Sequence, residues 1–360
     1  MNNKLKNNDY IIIVLAIFLA INFYILDYGK TWKKDLYYDE KFEAAMLMQS
    51  AMEVIKEERI KKNILIDKNI DINEIGIIGV EYSPITTTLG SLESKRTSAN
   101  PNFAAVVVAM MKDLELKKGD YIGVNLSGSF PGLNIAVLAA AQTLNLKLVV
   151  ISSAGASTYG ANIPEFNYIH MEELLYDKKI ILTKSIANSL GGNKDTGLEM
   201  DEDVKKMLLN QLVELNRNII LEENLEENIR KRYDLYKEAG KKRIKCFINV
   251  GGNIVSLGND GDWHNIGSGI IRAKANSTTA KSGIIGRFLS EGIPVINMIS
   301  VKQLALEYGL PIDPYPMPQP GEGRIYYKYN YSIIILLLVF ITAIIAIYLY
   351  GRRVRANYGR

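Results

Sequence analysis

Cysteine and histidine are nearly absent from this sequence. The one cysteine, Cys246, excludes an intrachain disulfide and a cysteine-held zinc site; the two histidines, His170 and His264, leave little for a histidine-rich metal centre. No G-x-x-x-x-G-K-[ST] run occurs, which speaks against a P-loop ATPase, and the lack of G-x-G-x-x-G weakens a dinucleotide site. No metal and no cofactor is expected. Repeats at periods of roughly 20–50 residues are missing too. Disorder is excluded, because apolar residues make up 48% of the 360 and charged residues only 23%.

Charge is missing from two long stretches. Residues 10–26, YIIIVLAIFLAINFYIL, contain one strongly polar residue, Asn22. As a helix they reach about 25 Å, just short of a hydrocarbon core of about 30 Å. A cleaved signal peptide is the competing reading, since Lys4 and Lys6 precede the run. However, Phe23, Tyr24, Ile25, Leu26 and Asp27 offer no small-x-small cleavage site, so the run reads as an uncleaved anchor. Residues 331–350, YSIIILLLVFITAIIAIYLY, are uncharged with tyrosine at both ends and read as a spanning helix. Arg352, Arg353, Arg355 and Arg360 follow with no acidic residue among them, and the positive-inside rule puts that tail in the cytoplasm. Two spans then predict a two-pass protein of the cell membrane with both termini cytoplasmic. Lys30, Lys33 and Lys34, beyond the first run, weigh against that orientation.

The net charge divides accordingly. Of the formal +4, Lys4, Lys6 and the four arginines against Asp9 carry +5, leaving −1 for everything else. The mean hydropathy of +0.01 likewise averages two apolar runs with a polar domain. Nucleic acid is therefore not an expected partner. The lipid bilayer is.

Between the runs the sequence predicts a Rossmann-like α/β domain with a mainly parallel sheet. Apolar strands are expected at 75–81, 121–126, 146–152, 180–183, 245–250 and 294–298. Helical patterns are expected at 102–114, 133–144, 204–221, 223–239 and 281–291. That alternation implies a sheet covered on both faces. A further helix at 33–62 presents Phe42, Ala45, Met46, Met48, Met52 and Ile55 at helical spacing, as a stalk or as core. The expected organisation is a cytoplasmic tail (1–9), a transmembrane helix (10–26), a juxtamembrane helix (27–62) and an extracytoplasmic α/β domain (63–310). Within that domain 200–243 form a possible helical cap with a solvated surface. A proline-rich linker (311–330), a second transmembrane helix (331–350) and a basic cytoplasmic tail (351–360) complete the chain.

Ligands of open α/β sheets sit at the carboxyl ends of strands. Four segments in such places are rich in glycine and hydroxyl groups. In residues 83–101, Thr86, Thr87, Thr88, Lys95, Arg96 and Thr97 suit a carboxylate or phosphate, although a mobile polar loop would look the same. In residues 125–134, Ser127 and Ser129 precede a helix; Ser129 is read as helix cap, anion ligand or nucleophile, and G-x-S-x-G is absent. Residues 152–162 add Ser153 and Ser157. Residues 249–253 add Gly251, Gly252 and Asn253, the last suited to reading an amide or carboxyl group. Ser277, Thr278 and Lys281 resemble another anion-friendly helix start. His264, in Asp260-Gly-Asp-Trp-His264, is a weak catalytic candidate, and Cys246 reads as a buried structural thiol.

The segments TTTLGSLESKRTSANPNFAA, NLSGSFPGLNIAVLAA, SSAGASTYGAN and FINVGGN, between two anchors, resemble the membrane-anchored poly-gamma-glutamate system protein family over nearly the whole chain. The resemblance implies a process and a location: association with the synthase and export subunits that make and move poly-gamma-glutamate, an anionic capsule polymer. It implies no catalytic residues. The expectation is an extracytoplasmic domain that binds a carboxylate-bearing polymer. Two alternatives stand beside it: a serine or amide hydrolase that trims the polymer through Ser127 or Ser129, and a scaffold for synthase subunits.

Overall fold

A computed structural model describes residues 2–258, 266–272 and 283–358. The chain opens with α1 (Asn2–Tyr28) and β1 (Lys30–Lys34). Next come α2 (Tyr38–Lys61), β2 (Thr86–Thr88), α3 (Leu92–Ser98) and α4 (Phe103–Asp113). The sheet starts with β3 (Tyr121–Leu126), α5 (Pro131–Thr143), β4 (Lys147–Ser153) and the short β5 (Ala156–Ser157). It continues through α6 (Tyr168–Asp177), β6 (Ala187–Ser189), α7 (Glu202–Glu214), α8 (Leu225–Ala239) and β7 (Ile244–Val250). Then follow α9 (Ile254–Leu257), β8 (Gly269–Ile271), α10 (Gly283–Ser290), β9 (Val295–Met298) and α11 (Val301–Glu307). The chain closes with β10 (Tyr327–Tyr331) and α12 (Ile333–Tyr358).

The chain divides into two compact units, Met1–Leu36 with Tyr327–Arg360, and Tyr37–Tyr326. In the smaller unit β1 and β10 pair antiparallel, from Lys30 opposite Tyr331 to Lys34 opposite Tyr327. The Trp32 and Tyr329 rings meet at 4.0 Å. Helices α1 and α12 touch, and Thr342 Oγ1 donates to Asn22 Oδ1 at 3.2 Å. Residues Ile333–Arg352 are long and apolar enough to cross a membrane, and none of that apolar stretch is buried against protein. The apolar part of α1 found among the described residues, Ala16–Tyr28, is shorter.

The larger unit is a mixed α/β domain around a six-stranded sheet of order β6-β4-β3-β7-β9-β8. Every neighbouring pair is parallel except β8 with β9. From β3 the chain winds outward through β4 and β6, then returns to β7 on the other side of β3, passes to the edge strand β8 and comes back to insert β9 between β8 and β7. The order therefore reverses between β3 and β7, and their carboxyl ends open the crevice that such a reversal leaves. Alternation along the strands serves both faces. Val149, Ile151, Phe247 and Val295 join Tyr236 of α8 and Phe288 of α10 in one core, with the Phe247 and Phe288 rings stacked at 4.9 Å. Ile122, Val124, Leu126, Cys246, Ile248 and Val250 point the other way and are also buried. Burial pushes the Cys246 thiol far above its ordinary range, as an inert strand residue requires.

Several expected elements differ. Residues 75–81 form no strand: Val80 N–H is taken by the Asn162 side chain at 3.0 Å, and Gly79 N–H by the Tyr159 carbonyl at 3.2 Å. The strand expected at 180–183 lies later, at Ala187–Ser189, because the α6 end and the Gln142 side chain take the backbone groups of Ile180 and Leu182. The 200–243 stretch is no cap, since α8 carries Ile229, Arg232 and Tyr236 into the core and Tyr236 Oη donates to the Val124 carbonyl at 2.9 Å. Helix α2 starts at Tyr38 rather than 33 and is core, not stalk, with Ala44, Ala45, Met48, Met52 and Ile55 buried. The proline-rich segment lies against the domain body: Asn73 and Asn102 donate to the carbonyls of Pro314 (2.8 Å) and Gln319 (3.0 Å).

Candidate functional site

The glycine and hydroxyl segments come together. The 83–101 stretch is not a mobile loop, because Thr86 and Thr88 of β2 pair in parallel with Ala156 and Ser157 of β5. The Gly90 N–H and the Thr158 hydroxyl close the junction at 2.7 Å. The 125–134 and 152–162 segments meet backbone to backbone. Ala161 N–H donates to the Gly128 carbonyl at 2.9 Å, and Ser157 N–H donates to Ser129 Oγ at 3.0 Å. A methyl group on Gly160 would lie 2.9 Å from both the Ser129 Cα and its carbonyl oxygen. Gly160→Ala is therefore expected to lower stability by about 1–3 kcal/mol through overpacking, read as a lower thermal midpoint.

Ser129 is consequently not the cap of α5. That position falls to Phe130, which makes no side-chain cap bond, and Pro131 opens the helix. Asn253 caps α9, accepting from Val255 N–H at 3.0 Å. Together these segments bound a cleft of about 510 Å³ at the carboxyl ends of the strands. Thr87, Thr88, Ser127, Ser129, Ser153 and Ser157 line it, with Gly90, Gly252 and Asn253; Phe130, Ile254 and Ile299 supply an apolar flank. A hollow of about 270 Å³ bordered by Lys118, Gln142 and Lys147 lies at the opposite, amino ends of β3 and β4 and lacks such convergence.

Lys95 and Arg96, the charged candidates among the described residues, do not line the cleft. Lys95, 2% exposed, sends its ammonium inward. It donates to the Ser129 carbonyl and to Ser157 Oγ at 2.7 Å, above the Phe130 ring at 3.7 Å. Burial alone lowers its pKa from 10.5 to about 7, with no carboxylate contributing. Arg96 forms an ion pair with Asp313 at 2.8 Å. The Thr97 hydroxyl donates to the Glu93 carbonyl and accepts from Asp313 N–H. Thr86 Oγ1 is taken by Ser83 N–H and Asn162, and Gly251 packs behind Ser127. His264, Ser277, Thr278 and Lys281 lie outside the described residues.

No family model, no curated protein and no solved structure matches this chain. The cleft itself therefore carries the functional reading.

A fifth wall, invisible in the sequence patterns, is the 190–199 loop, which brings Gly192, Asn193 and Glu199 to the cleft. Gly191, Gly192, Lys194 and Asp195 all have positive φ there. The loop holds this shape because Asp195, fully buried, meets Arg232, also fully buried. Ser189 and Asn228 donate to the same carboxylate at 2.8 and 3.2 Å. Arg232 also donates to Asn125 Oδ1 at 3.1 Å. From there a ladder crosses the strand ends: Asn125 donates to Asn249 (3.2 Å) and Asn249 to Asn297 (2.9 Å). Each amide satisfies the next, so β3, β7 and β9 are tied in register directly beneath the cleft. Glu199 is the one acidic side chain on the described lining, and its carboxylate accepts the Asn193 N–H at 3.0 Å.

Proposed function

We propose that this chain is a membrane protein of poly-gamma-glutamate synthesis or export whose α/β domain holds the carboxylate-bearing polymer in the strand-end cleft. The observation that carries the reading is the convergence of the separate glycine and hydroxyl segments on one open cleft at the sheet's reversal point. Because Lys95 and Arg96 are engaged elsewhere, the described part of the cleft offers carboxylates neutral donors, from the serine, threonine and asparagine residues that line it.

In this reading α1 and α12 both cross the cell membrane, with the arginine-rich tail cytoplasmic and the Rossmann-like domain outside. The Asn22–Thr342 hydrogen bond supports the pairing, since a polar bond between two apolar helices is a recurrent membrane contact. Synthase and export subunits are then the protein partners.

The test is binding of a fluorescent poly-gamma-glutamate oligomer to the full chain in detergent, read by anisotropy. Saturable binding is expected. The paired substitution Thr87→Val and Ser153→Ala, which removes the hydroxyls of two lining residues, is expected to weaken it about fivefold or more. No binding, or binding indifferent to that pair, overturns the reading.

A further inference from the structure

We propose that the cleft is also catalytic, with Ser157 as the nucleophile and Lys95 as its general base, cleaving an amide or ester bond by acyl transfer. The choice of a gamma-glutamyl amide as natural substrate rests on the function proposed above; the Ser157–Lys95 pair does not.

Of the three serines grouped at the β3 and β5 ends, only Ser157 is bonded to a base among the described residues. Ser127 Oγ accepts the Ser129 N–H at 3.2 Å and Ser129 Oγ accepts the Ser157 N–H at 3.0 Å, and among the described residues neither hydroxyl is bonded to a group able to take its proton. Ser157 Oγ lies 2.7 Å from Lys95 Nζ and borders the cleft. The second partner of Lys95 decides how the pair is used. A carbonyl oxygen only accepts, so the bond to the Ser129 carbonyl always consumes an N–H of the amine. When the amine is neutral it keeps a second N–H and a lone pair, and the lone pair is able to accept from the Ser157 hydroxyl 2.7 Å away. Gly90 keeps the approach open, because a side chain there would begin 2.9 Å from Ser157 Oγ.

The amine is available as a base because burial lowers its pKa to about 7. Among the described residues no opposite charge restores it. On its own helix Glu93 is paired with Lys302 of α11, and Arg96 with Asp313. Strand β5 and helix α5 bring no ionisable side chain, Tyr159 beyond β5 is engaged with Glu81, and Glu199 stands across the cleft on the 190–199 loop.

In the reaction, Ser157 Oγ bonds to the acyl carbon while its proton passes to Lys95. The C–N bond breaks, and the departing amine takes that proton, leaving an ester on Ser157. Water then attacks the ester, giving its proton to Lys95, which returns it to Ser157 Oγ as the carboxylic acid product leaves.

The experiment treats the full-length protein in detergent with a fluorophosphonate probe, which reacts with activated serine whatever the natural substrate, and maps the adduct by peptide mass. A single adduct on Ser157 is expected, formed at a rate that rises with pH through about 7. Lys95→Met is expected to slow it about a hundredfold or more. Ser290→Ala, at an exposed position outside the cleft lining, should retain labelling. An adduct on another serine, no adduct, or a Lys95→Met rate equal to wild type overturns the proposal. The wild-type map alone decides if a variant fails to fold. Labelling without polymer binding leaves the dyad standing and removes the poly-gamma-glutamate assignment; binding without labelling does the reverse.

Discussion

Replacing Arg232 by methionine is expected to cost the domain about 3–5 kcal/mol of stability, and to lower its thermal midpoint by roughly 10 °C. The expectation follows from what the substitution leaves behind. Asp195 has no exposed surface, so without the guanidinium its carboxylate keeps only neutral donors, Ser189 and Asn228. Asn125 loses a donor at the same time, at the head of the amide ladder under the cleft. Truncating one member of a buried pair is costlier than removing both. Adding Asp195→Asn to Arg232→Met should therefore recover about 1–3 kcal/mol, and asparagine tolerates the left-handed backbone at that position. A single-variant loss below about 1 kcal/mol, or a double variant no better than Arg232→Met, would show that the pair does not hold the loop. Polymer binding should fall in parallel, because Gly192, Asn193 and Glu199 are placed by the same loop.

That pair also marks where the sequence stops being readable. The central strands were legible as short β-branched runs ending in Asn-Leu-Ser-Gly and Asn-Val-Gly-Gly, and strand order then made the cleft's position follow. Arg232 sits in a stretch so rich in charge that a solvated surface is the natural reading. Its burial depends on Asp195, 37 residues earlier on a loop with no pattern of its own. Residues 75–81 show the reverse case. Their Ile-Gly-Ile-Ile-Gly-Val composition suits a strand, yet Gly79 is pressed so close to the Gly160 carbonyl that a side chain could not fit. The segment therefore bonds to a loop instead of a neighbouring strand. Lys95 was legible as a charge but not as a buried one. The cue was available: Ser91 as an N-cap with Glu93 in the first turn announces a helix, and a helix gives Lys95 and Arg96 different faces.

The burial of Lys95 also has a thermodynamic signature that is separate from any substrate. In the unfolded chain this amine keeps its proton up to about pH 10.5, whereas in the folded domain it loses it from about pH 7. Between those values the unfolded state binds more protons, so stability must rise with pH across that window. Below it both states are protonated, and folding bears the whole cost of burying an ammonium. Each unit is worth about 1.4 kcal/mol, so the wild type is expected to gain about 2–3 kcal/mol over Lys95→Met between about pH 7 and pH 9. Other groups titrate there, but their contributions are common to both proteins and cancel in the difference. Denaturant midpoints of wild type and variant, measured in parallel at each pH, provide the reading. Parallel profiles would mean that the amine stays charged in the folded protein and holds Ser157 only as a donor. A divergence starting at about pH 7 and a labelling rate rising at the same pH would trace both effects to one proton on one amine.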